Sequence, residues 1–170
     1  MQNLFEILRL TPTFVLDAKA LEASYFAAQR LVHPDRLVGK PDAERVAAFG
    51  RAELVNDAYD MLKNPLTRAQ HLLELQGIHP LAEDAVAPPA LLMEMMELRE
   101  QIADAAEQGT LLAALVADLK ARAAATQQAL AIAFASADYP TAAIETMRLH
   151  YLGKAMEEAH MLIYRLKAGA

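Results

Sequence analysis

Apolar positions recur at helical spacing along most of the chain, in blocks set apart by breakers. Leu21, Tyr25, Ala28 and Val32 follow one another at steps of four, three and four, and Ala48, Ala52, Val55, Tyr59 and Leu62 at four, three, four and three. Each series is one continuous stripe along a helix. The first helix is expected to stop near Val32 or His33, because the residue before Pro34 is pushed out of helical backbone. Helix resumes near Asp42, after a loop of about eight residues containing Pro34, Gly39 and Pro41. Two helices with matching stripes and a short connection predict an antiparallel hairpin. Ahead of it, Asn3 and Glu6 form a capping-box pattern for a short helix from Leu4 to about Leu10, and "TPTFVLD" reads as a turn ending in Asp17 as N-cap. Behind it, Asn64-Pro65 restarts a helix that runs to a C-cap at Gly77.

The stretch "GIHPLAEDAVAPP", Gly77 to Pro89, has three prolines and no helical period, so it reads as a linker. Three more helical patterns follow: Ala90 to about Gln108, closed by Gly109; Thr110 to about Ala135; and Pro140 to about Lys167. Three antiparallel helices predict a small bundle. The expected organisation is all-α, with one domain over 1–76, a linker over 77–89 and a three-helix domain over 88–170. No internal repeat is evident.

Composition narrows the function classes. The chain has 170 residues, 55% hydrophobic and 22% charged, which is the balance of a folded domain rather than a disordered tail. No apolar run reaches the roughly 18 to 20 residues that cross a bilayer. The start, "MQNLFEILRL", lacks the basic and apolar regions of a secretory signal. The absence of Cys removes disulfides and thiolate sites and fits a reducing compartment, so the cytoplasm is the expected location. The net charge of −6 argues against nucleic acid as a partner. That charge is local: between Glu83 and Glu107 there are seven acids and one base, Arg99.

An inventory of chemistry finds little for catalysis. His33, His71, His79, His150 and His160 include no pair at i+3 or i+4, so a helical metal site is not expected. There is no glycine-rich phosphate loop and no G-x-S-x-G elbow. His33 and Asp35 could form an acid–base pair, but no nucleophile or oxyanion hole lies near them in sequence. No cofactor and no metal are expected, and a small helical enzyme is a remote alternative.

His33-Pro34-Asp35 has a plain reading, a helix end with a proline stop and a solvated carboxylate. Its setting at the tip of a helical hairpin, between a short first helix and a fourth, resembles the J-domain, by which DnaJ-type co-chaperones engage DnaK-type chaperones. "LVNDAYDMLKNPLTRAQHLL" (54–73) and "LLMEMMELREQI" (91–102) resemble signature stretches of HscB-type co-chaperones of iron–sulfur cluster assembly. The likeness is specific over 14–76 and 91–104 and compatible over the remainder to residue 170. It implies an L-shaped molecule in which His33, Pro34, Asp35, Arg36 and Arg30 contact the ATPase domain of the chaperone HscA. Asp35 can make a charge-assisted bond to a partner Arg, and Pro34 limits the ordering lost on docking. Two features depart from the usual J-domain: Arg36 stands where Lys is usual, and the preceding helix keeps only Lys19 and Arg30 as cations. Weak general attraction favours one dedicated chaperone over broad use.

A second surface emerges from the helical wheel of the 90–108 segment. Leu91, Met95, Leu98, Ile102 and Ala105 share one side, as a core stripe. Met93, Glu97, Glu100 and Asp104 cluster on the opposite side, with Leu92 and Met96 along its edge. Methionines framed by carboxylates on an outward face fit a binding surface that moulds to its partner; the alternative is that the bundle wraps further round this helix. The resemblance implies that Leu92, Met93, Met96, Glu97, Glu100 and Asp104 hold the scaffold protein IscU, with Tyr151 contributing from the last helix. Tyr151 equally fits an apolar stripe with Ile144, Met147 and Ala155, so the sequence leaves it between core and interface. The expected function is that of a co-chaperone, itself not an enzyme, that stimulates HscA and delivers IscU to it. A J-domain protein with a different client is the alternative.

Overall fold

The computed structural model describes residues 2–32 and 42–168. They form seven α-helices: α1 (Leu4–Ile7), α2 (Ala18–Val32), α3 (Asp42–Lys63), α4 (Pro65–Glu74), α5 (Pro89–Ala105), α6 (Gly109–Ala135) and α7 (Tyr139–Ala168). The chain divides into two compact units, Met1–Gly77 and Ile78–Ala170.

In the first unit α2 and α3 form the antiparallel hairpin. Leu21 lies near Tyr59 and Lys63, whereas Leu31 and Val32 at the other end lie near Arg51 and Leu54. Leu21, Val55, Ala58 and Leu62 bury the facing stripes, and Phe5, Leu8 and Phe14 close the core from the N-terminal side. Tyr25 stacks on Tyr59 with ring centroids 4.3 Å apart. Asn3 caps α1 by accepting the Phe5 N–H at 3.0 Å, and α1 ends at Ile7, sooner than Leu10, because Arg9 takes a left-handed backbone with φ of 55°. Asn64 caps α4 by accepting the Leu66 N–H at 2.9 Å, with Pro65 at the first helical position. Arg68 fastens the 11–17 turn: its Nη1 donates to the Leu62 carbonyl at 2.6 Å and its guanidinium lies 5.2 Å from the Phe14 ring centroid.

In the second unit α6 and α7 pack along each other and α5 lies against both. Two clusters tie the bundle together, the first across all three helices and the second between α5 and α7. Ala105, Leu112, Val116 and Ala159 form one, and Ala87, Leu91 and Met147 form the other, with Leu81 and Ala85 packed on it. The stretch from Gly77 to Pro88 contains no helix, and α5 begins at Pro89, one residue ahead of Ala90; the apolar residues Leu81, Ala85 and Ala87 of this stretch dock on the bundle. Gly109 begins α6 rather than closing α5, which ends at Ala105. Asp138 accepts the Thr141 N–H at the start of α7, and hydrogen bonding to Thr141 holds its carboxyl below the usual carboxylate range.

Candidate partner-binding surface

Burial of Leu91, Leu98, Ile102 and Ala105 fixes the rotation of α5 about its axis. At about 100° per residue this turns the opposite positions outward. Leu92 is 45% exposed, and Met93 and Met96 are each 64% exposed. Glu97, Glu100 and Asp104 are exposed on the same side. The bundle does not close over this face.

Beside it runs a groove between α5 and α7. The two helices are parallel, because contacts advance together along both: Leu91 with Met147, Glu94 with Arg148, and Ala105 with Ala159. Arg148 braces this arrangement, with Nε 3.1 Å from Glu94 and Nη1 paired with Glu145. Those carboxylates, Glu145 foremost, hold its guanidinium above the usual range despite partial burial. The groove, about 660 Å³, has Leu98 and Ile102 in its lining with Leu92, Met96 and Tyr151. Arg99, Lys154 and Glu158 supply its charges. Tyr151 is 36% exposed and presents its ring here, next to the edge of His150. Leu92, Met96 and Tyr151 are therefore brought into one site, and Met93, Glu97, Glu100 and Asp104 continue outward from it round α5. Among the described residues no group of three His, Asp or Glu side chains could hold a metal ion, and no helix is long and apolar enough to cross a membrane.

Residues 87–160 match the family model described as the HSCB C-terminal oligomerisation domain. The co-chaperone protein HscB homolog of Burkholderia multivorans is 37% identical over 166 residues, covering 96% of this chain and 95% of that one. The chain belongs to the HscB family of co-chaperones. HscB of Proteus mirabilis is 36% identical over 97% of this chain and 98% of its own length. A homolog from Pseudoalteromonas atlantica is 41% identical over a shorter match, spanning 66% of this chain and 65% of that protein. Among solved structures, HscB of Vibrio cholerae superposes with a TM-score of 0.82 at 31% identity over 97% of this chain and 99% of that one. Human HscB gives 0.86 at 28% identity, over 95% and 82%. With these HscB structures the chain shares an all-helical fold in which a J-domain precedes a C-terminal bundle.

Of the chaperone-facing residues expected of an HscB protein, Arg30 lies exposed in the last turn of α2, where its Nε donates to the Phe26 carbonyl at 3.4 Å. His33, Pro34, Asp35 and Arg36 lie outside the described residues. Sequence reasoning missed two polar features of this unit. Tyr25, Gln29 and Asn56 form a clasp across the hairpin, in which the Tyr25 hydroxyl donates to Asn56 Oδ1 at 3.1 Å and Gln29 Nε2 donates to the same oxygen at 3.0 Å. Steps of four on α2 place Tyr25 and Gln29 on one face, but nothing in sequence announces Asn56 as their partner. The other is His71, 2% exposed, whose Nε2 accepts the Leu4 N–H at 3.0 Å beneath the Phe5 ring. Burial lowers its pKa, and Glu74 offsets this in part.

Proposed function

We propose that the chain stimulates ATP hydrolysis by the DnaK-type chaperone HscA through its J-domain and delivers the iron–sulfur scaffold IscU to that chaperone from its C-terminal bundle. The observation that carries the reading is the outward face of α5, where two methionines and a leucine stand exposed among three carboxylates, in a member of the HscB family. An amphipathic helix needs charge on that side, not thioethers. Flexible Met side chains adapt to a partner at low cost, and the carboxylates steer a basic surface toward them. His33, Pro34, Asp35, Arg36 and Arg30 would engage the chaperone; Leu92, Met93, Met96, Glu97, Glu100, Asp104 and Tyr151 would hold the scaffold. Both encounters are assigned to the cytoplasm.

The test is capture of purified IscU-type scaffold by the full chain and by a Met93→Glu/Met96→Glu variant. Both positions are exposed, so the variant should melt within a few degrees of the parent while its scaffold binding is lost. Undiminished capture by the folded variant would remove this face from the account.

A further inference from the structure

Resting on the assignment of the α5 face to an IscU-type scaffold, we propose that the α5/α7 groove selects a segment bearing an apolar anchor beside a carboxylate, and that Arg99 is the residue that recognises the carboxylate. The apolar strip of Leu92, Met96 and Tyr151 has borders of opposite sign. On the outer border, round α5, stand Glu97, Glu100 and Asp104 with no cation among them. On the groove border stand Arg99 and Lys154, against one carboxylate, Glu158. The placement of the two cations repeats on both walls. Arg99 follows Met96 by three residues on α5, and Lys154 follows Tyr151 by three on α7. Because the helices are parallel, both cations sit the same distance beyond the apolar strip, about 4.5 Å at the helical rise.

The two differ in how free they are. Lys154 is already bound to Glu157, Nζ to Oε2 at 3.0 Å. Arg99, in contrast, has no ion pair or hydrogen-bond partner among the described residues, and it is exposed. Its planar fork fits a carboxylate with two parallel bonds, which an ammonium does not supply. A segment carrying cations alone would meet the outer border well and be repelled at the groove. One with a carboxylate on its inner side and cations on its outer side satisfies both, in one orientation. The apolar anchor then enters the groove, and the charges set which way round it lies.

The experiment measures the Kd of the full chain for a purified IscU-type scaffold, with Arg99→Glu, Arg99→Lys and Met96→Ser variants. Arg99→Glu should weaken binding by about tenfold or more and Arg99→Lys by about threefold, at unchanged helicity and Tm. A scan of acid-to-lysine changes in the scaffold should contain one that restores binding to Arg99→Glu. Wild-type affinity in Arg99→Glu, with binding lost in Met96→Ser, overturns this inference while leaving the assignment of the face intact. Wild-type affinity in Met96→Ser removes that assignment and the inference with it. Failure of every acid-to-lysine change to rescue Arg99→Glu also overturns it, since the loss is then general repulsion and not a specific pair.

Discussion

At the scale of single residues, His71 links the first helix to the fourth. Its Nε2 must be unprotonated to accept the Leu4 N–H, so the fold holds the neutral imidazole, and burial depresses its pKa. Glu74, 3.8 Å from Nδ1, and the Phe5 ring are the groups beside it. Above the unfolded value of about 6.5 both states are neutral and His71 adds no pH dependence. As pH falls below that value the unfolded chain takes up a proton that the folded chain resists, so stability drops until pH passes the depressed folded pKa. Between pH 7.5 and 5.5 the parent should therefore lose more Tm than His71→Gln, whose amide can still accept a hydrogen bond but does not titrate. Equal losses would show that another group carries the acid sensitivity. Nothing in sequence distinguishes His71 from the exposed His160, because the difference lies in α1 packing across a separation of 67 residues.

At the scale of elements, the helices were legible wherever the stripe was long and a cap was local. Asp17, Asn64 and Pro65 act through their own neighbours, as their positions foretold. The misplaced ends have another cause: they depend on backbone geometry set by packing. Arg9 turns left-handed and stops α1 early, and Gly109 is drawn into α6, where a Cβ in its place would meet Leu166 at 3.8 Å, an ordinary contact. The candidate face of α5 was readable because an apolar stripe of five positions, four of them buried and Met95 partly so, determines what the other side presents. The groove was not, because it needs the parallel placement of α7, and that rests on pairs such as Glu94 with Arg148. The α6–α7 turn offers a test of element-level strain. Ala137 sits at φ of 56°, a left-handed backbone that opposes its Cβ by about 1–2 kcal/mol. Glycine removes that strain but widens the unfolded ensemble, so Ala137→Gly should stabilise the chain by about 0.5–1 kcal/mol in denaturant unfolding. Destabilisation would mean that the turn holds alanine without strain.

At the scale of the whole molecule, the two compact units divide the proposed work, with the chaperone contact in the first and the scaffold face in the second. The charge distribution follows the same division, since the excess of acids is concentrated between Glu83 and Glu107 while residues 1–80 are nearly balanced, with nine Lys/Arg against ten Asp/Glu. A balanced J-domain relies on a fitted contact more than on long-range attraction, which favours one dedicated chaperone partner. The most direct measurement of the division is steady-state ATP hydrolysis by HscA, with and without IscU, together with scaffold affinity, for two variants of the full chain. Asp35→Asn should abolish stimulation and leave scaffold affinity unchanged. Glu97→Gln/Glu100→Gln should weaken scaffold binding about tenfold or more and leave the stimulation seen without IscU intact. Equal impairment of both activities by both variants would contradict the account.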